Sequence, residues 1–119
     1  MGLVFCREFD SATFSLRGLF QGLYFSAFPA NTDPFIVYAS MYSGGVEGTL
    51  QLTCTRLETE RDIFTHSERR SFANGAVIQL LMPVSRLRLP APGRYAFRLQ
   101  FDGTELTYRY LEVIREVKT

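Results

Sequence analysis

No tryptophan occurs in the 119 residues, and histidine occurs once, at position 66. A catalytic triad needs a base held beside a nucleophile. Ser67 and Glu68 adjoin His66, but successive residues of a strand point to opposite faces, and no Gly-x-Ser-x-Gly occurs. One histidine and two cysteines far apart in sequence offer no close ligand pair for zinc. The segment SGGVEG at 43–48 has glycines without a following Gly-Lys-Ser/Thr, so it is not a phosphate loop. Asp10, Glu47 and Asp102 would gather at one end of a meander and Asp33 and Asp62 at the other, too thin a set for calcium. These absences argue against an enzyme, a cofactor and a metal.

Other absences bound the setting. Thirteen basic residues against twelve acidic ones leave a net charge of +1, with no bulk attraction to nucleic acid or anionic lipid. No apolar run approaches the ~18 residues of a membrane span. The opening MGLVFCREFD shows no basic leader with an apolar stretch behind it and lacks the residue that myristoylation requires at position six, so a cytoplasmic location is expected. Cys6 and Cys54 lie 48 residues apart, loosely as in immunoglobulin domains, but no tryptophan completes that signature. Two reduced, buried thiols are expected.

What is present is β structure throughout, with eleven Phe and six Tyr among the turn signals. The first strand is expected at 3–9, with a turn at 10–12. The segment at 13–29 is too long for one regular strand, and Gly18 and Gly22 mark a bend. Pro29 and Pro34 frame a loop. FIVYASMY (35–42) and TLQLTCTRL (49–57) fit one hairpin, with Val37, Ala39, Met41, Leu50, Leu52 and Cys54 inward. A turn at 58–62 follows. Asn74-Gly75 reads as a second hairpin turn and Asp102-Gly103 as a third. In the last hairpin Tyr95, Phe97, Leu99 and Phe101 face one way, and parity puts Leu106, Tyr108 and Tyr110 with them. Beyond Tyr110 the apolar positions slip to Leu111 and Val113, which calls for a bulge nearby. The expected fold is a single all-β domain over 1–119, an antiparallel two-sheet β-sandwich of about eight strands, immunoglobulin-like or similar.

The run FSLRGLFQGLYFSAFP (14–29), followed by FIVYASMY and by PGRYAFRLQFDG (92–103), resembles an uncharacterised family of small bacterial β-sandwich domains. The resemblance rests on a Gly-containing second strand that ends in Phe-Pro and on a late Gly-aromatic-x-Phe strand before a Gly turn. It implies a fold and a bacterial setting, and it carries no catalytic residue.

Two surfaces stand out. The outward positions of the expected 36–55 hairpin are Ile36, Tyr38, Ser40, Tyr42, Thr49, Gln51, Thr53 and Thr55, none of them charged. Such a face suits a protein partner or a second copy of the chain. Arg86, Arg88, Arg94, Arg98 and Arg109 form a candidate basic patch, with Glu105 and Glu112 as counter-charges. With the aromatics read onto the opposite face, nucleic acid is not expected there. The function expected is a non-enzymatic, protein-binding or structural β-domain, a subunit of a larger assembly. The alternative is a carbohydrate or small-ligand module that uses Tyr38 and Tyr42.

Overall fold

A computed structural model describes residues 2–45 and 47–117. Every regular element among them is a strand: β1 (Leu3–Cys6), β2 (Glu8–Asp10), β3 (Ser15–Arg17), β4 (Gly22–Phe25), β5 (Ala30–Asn31), β6 (Phe35–Gly44), β7 (Glu47–Arg56), β8 (Arg61–Ser71), β9 (Asn74–Val84), β10 (Arg88–Leu89), β11 (Gly93–Phe101) and β12 (Thr104–Arg115). The all-β expectation holds, but the strands are more numerous and are divided among more sheets than eight strands in two. One sheet runs β1-β6-β9 and another β4-β12-β11-β7-β8, and two-stranded pieces join β2 to β3 and β5 to β10.

The middle of the chain explains the arrangement. β6 pairs with β9 from Phe35↔Val84 to Gly44↔Asn74, and β7 pairs with β8 from Glu47↔Ser71 to Arg56↔Arg61. These two ladders form one antiparallel ribbon whose tip is the turn at 57–60. The two halves of the ribbon lie in different sheets, β6 and β9 in one and β7 and β8 in the other, so the ribbon is folded over. The expected pairing of 36–42 with 49–55 is therefore wrong, and so is the expected hairpin at Asn74-Gly75. Met41 lies opposite Ile78, and Leu50 lies between Glu68 and Phe101. The parity was nonetheless right: Val37, Ala39, Leu50, Leu52 and Cys54 are all buried in one core. Alternation reports which way a side chain faces, and folding the ribbon over leaves that unchanged while it exchanges the neighbours. Val46, inside the expected turn at 43–48, lies outside the described residues.

The two larger sheets contribute to the same core through a set of aromatic rings. Phe5 on β1 and Phe35 on β6 meet Phe97 on β11, with ring centroids 5.0 and 6.1 Å from it. Phe20 joins from the segment before β4, stacked on Phe5 at 5.7 Å, and its N–H donates to the Phe5 carbonyl. The abundant Phe thus serves the core first, though Phe14 is exposed on the β2–β3 hairpin. Tyr95 is fully buried, and its hydroxyl donates to the Ala91 carbonyl at 2.6 Å, which answers its one polar atom.

The N-terminal third is more broken than the expected strands. The strand read over 3–9 divides at Arg7, whose N–H turns to the Arg17 and Gly18 carbonyls. The bend expected at Gly18 is there, at a positive φ of 68°. β4 then runs parallel to β12, from Gly22↔Glu112 to Phe25↔Arg115, so the sheet is not wholly antiparallel as expected. Residues 26 to 103 separate the two strands in sequence, which is ample for a parallel connection.

Candidate interaction faces

The three-stranded sheet buries Leu3, Phe5, Val37, Ala39, Leu80 and Met82 on its inner face. The alternate positions make its outer face. β6 supplies Ile36, Tyr38, Ser40 and Tyr42, and β9 sets Pro83, Leu81, Gln79 and Val77 opposite them in that order. β1 adds Val4 opposite Tyr38 and Cys6 opposite Ile36. Among the described residues, no side chain in this three-strand face carries a charge at neutral pH. Tyr42 and Val77, side by side, are 71% and 70% exposed. The uncharged face read from the sequence thus exists, but β9 and β1 complete it.

Thr49, Gln51, Thr53 and Thr55 lie elsewhere, on the outer face of the five-stranded sheet. β7 places Gln51 and Thr53 beside Gln100 and Arg98 of β11, and beside Ser67 and Thr65 of β8. Thr53 and Thr55 are buried among these neighbours. Thr55 donates to Asp62 at 2.7 Å, and Arg98 donates to Thr55 at 3.3 Å. The six residues read as one face, Ile36, Tyr38, Ser40, Tyr42, Gln51 and Thr53, are divided between two sheets.

The final hairpin corrects a second reading. Phe101 pairs with Thr104 across Asp102 and Gly103, both at positive φ, so the expected two-residue turn is present. The register then shifts: Gln100 faces Glu105 but Leu99 faces Thr107, which leaves Leu106 as the extra residue of a bulge. That bulge, a few residues before the expected one, reverses the parity of β12. Tyr108 and Tyr110 turn outward, opposite Arg98 and Ala96, and Arg109 turns inward opposite Phe97. The aromatics therefore share a face with arginines. Arg94 lies over the Tyr110 ring at 5.0 Å, and the Tyr108 and Tyr110 rings are 5.4 Å apart. β4 extends the strip with Tyr24 opposite Ile114.

The five arginines do not form one patch. Arg94 bonds Glu112 at 2.6 Å and Arg98 pairs with Glu105 at 3.4 Å, so this face is close to neutral. Arg109 is half-buried, and its Nη1 donates to the Leu3 carbonyl at 2.9 Å. Arg86 and Arg88 are exposed around β10, away from the β11–β12 hairpin in the pairing scheme. A groove of about 240 Å³ beside Arg109 is lined by Val4, Leu19, Phe20 and Gln21. Another, of about 280 Å³, runs past Arg7, Tyr24, Phe25, Asn31, Thr32 and Asp33.

Both cysteines are unpaired and buried, Cys54 in the core and Cys6 on the other side of a sheet. Burial pushes both thiols up, and the Asp62 charge pushes Cys54 further, so neither is a thiolate nucleophile at neutral pH. His66 is exposed on β8 with Nε2 3.9 Å from Glu68. Among the described residues no three His, Cys, Asp or Glu side chains gather as metal ligands, and no helix is long and apolar enough to cross a membrane. Sequence reasoning missed Tyr24, Tyr108, Tyr110 and Val77 as surface residues. The parity slip at Leu111 was the available signal for the bulge at Leu106, but it did not say where the extra residue lay.

These features describe a β-domain with an uncharged face on one sheet and a tyrosine strip flanked by ion pairs on the other. The chain belongs to a family of unknown function, DUF6941, whose model matches residues 7–114. A search of curated proteins found no match.

Proposed function

We propose that this protein is a non-enzymatic binding domain that docks onto protein through the outer face of β1, β6 and β9, as a subunit of a larger assembly. The observation that carries the reading is the absence of charge across all three strands of that face, together with the exposed pair Tyr42 and Val77. A solvated sheet face usually carries Lys and Glu, which protect it from unwanted pairing. Tyrosine brings contact area at low entropic cost. The proposal takes the two larger sheets as the layers of a sandwich, immunoglobulin-like in general plan. It takes a bacterial cytoplasm as the setting, which two unpaired thiols support.

Tyr38→Glu, in the middle of the face, is expected to abolish capture of the partner from the native cell extract and to leave the thermal melt within a few degrees of wild type. A folded variant that still captures the same partner would remove this face from consideration.

A second reading rests on a different observation, the strip of Tyr24, Tyr108 and Tyr110 beside Arg94 and Arg98. Aromatic faces with polar groups alongside suit a carbohydrate. Tyr110→Ala is expected to lose any glycan-array signal that the wild type gives. A signal equal in both proteins, or none in the wild type, argues against a sugar site on this strip.

A further inference from the structure

We propose that β9 is a strand-addition edge and that its partner is β9 of a second copy of this chain, paired antiparallel about a two-fold axis. This rests on the reading above that the three-stranded sheet works by association, and it names the partner and the contact.

The two long edge strands differ in chemistry. β8 closes the five-stranded sheet and carries Arg61, Asp62, Glu68, Arg69 and Arg70, the charges that keep an edge from pairing. β9 closes the three-stranded sheet with NGAVIQLLMPV, eleven residues without a charge. Among the described residues its far side has no partner strand. Its one protective residue is Pro83, next to last in the strand.

Pro83 also tells which backbone groups are free. It lies opposite Ile36 and has no N–H to give β6. Positions 77, 79 and 81 share its alternation, so their N–H and C=O groups point to the open edge. Every one of them is uncharged.

A second copy fits this edge by symmetry. A two-fold axis normal to the sheet keeps outer residues opposite outer residues, because the side-chain period is two. Centred on Ile78 or Gln79, it places Val77 and Gln79 against Val77, Gln79 or Leu81 of the other strand. Pro83 then falls at the end of the ladder or beyond it. With no charge in the strand, no register sets like charges against each other. Two bonds per hydrogen-bonded pair give on the order of six to eight backbone bonds. The pairing would make a continuous six-stranded sheet and bring two uncharged outer faces side by side. A strand edge buries an area at or below the low end of specific interfaces, about 1,200 Å², so the dimer is expected to be weak, with Kd on the order of 10–100 µM.

Sedimentation of the intact protein between low and high micromolar concentration tests this. The mass is expected to rise from 13.6 kDa toward twice that value. Gln79→Pro removes one edge-facing N–H without touching the bonds to β6, and it is expected to weaken association at least tenfold. Tyr38→Glu, which alters the face and spares the edge, should still dimerise. Amide exchange in the wild type gives a readout that needs no variant: positions 77, 79 and 81 should slow as concentration rises. A wild type that stays monomeric throughout, with exchange at those amides independent of concentration, overturns the proposal. So does a dimer that persists in folded Gln79→Pro. Loss of partner capture in Tyr38→Glu alongside a monomeric wild type would leave the docking face standing and sink the edge alone.

Discussion

Phe97→Ala is expected to destabilise the fold by about 3–5 kcal/mol, the cost of cutting a buried aromatic to a cavity. Phe97 is fully buried, and its ring touches the two rings, Phe5 and Phe35, that the other sheet sends into the core. Removal takes away the contact between sheets as well as apolar burial, and a rigid pair of β-sheets closes poorly on the space. Arg98→Ala, one residue on, should cost under about 1 kcal/mol, because it loses a partly exposed ion pair with Glu105 and a long hydrogen bond to Thr55, whose hydroxyl keeps its bond to Asp62. Urea melts compare the two. Equal losses would mean that the inward and outward sides of β11 are misassigned.

Gly48→Ala is the second large effect, at about 1 kcal/mol, the net worth of a hydrogen bond at a solvent-exposed turn. Gly48 is buried at the elbow of the ribbon, and a Cβ there would fall on the carboxylate of Asp102. That carboxylate accepts the Thr49 N–H at 2.8 Å, while the Asp102 N–H donates to the Thr49 carbonyl at 2.9 Å. The last hairpin turn is thereby clamped to the start of β7, and an alanine pushes the clamp open. The effect should depend on the carboxylate. In an Asp102→Gly background, where the positive φ of residue 102 is also relieved, Gly48→Ala should cost under about 0.5 kcal/mol. The same loss in both backgrounds would mean that the glycine is needed for its own backbone and not for Asp102.

Both predictions use residues whose direction was legible in the sequence and whose partners were not. Phe97 reads as inward from the alternation of Tyr95, Phe97 and Leu99. Nothing in that pattern places Phe5 and Phe35 against it. Asp102-Gly103 reads as a tight turn, and the structure has it. That the turn docks on Gly48 is a contact across more than fifty residues of chain, outside the reach of local preference.

The candidate site shows the same division. Ile36, Tyr38, Ser40 and Tyr42 were readable as one uncharged side of a strand, and they are that side. Their neighbours were not readable, because two successive strands joined by a glycine-rich segment have the same local pattern whether they form a hairpin or two arms of a bent ribbon. The sequence assigned Thr53 to the face of Tyr38. The fold puts Val4 and Leu81 there and gives Thr53 to Arg98 and Thr65. The tyrosine strip was missed for a smaller reason. One extra residue, Leu106, reverses every position after it, and the hydrogen-bond register places that residue where hydropathy cannot.

Sequence alone determined that this chain is all-β and which residues of most strands turn inward, since a period of two and turn chemistry are local properties. The tertiary structure decided which strands are neighbours, where β12 shifts register, and which edge is left both open and uncharged. Those outcomes depend on how a long ribbon bends over a shared core, and that is settled by packing between residues far apart in the chain.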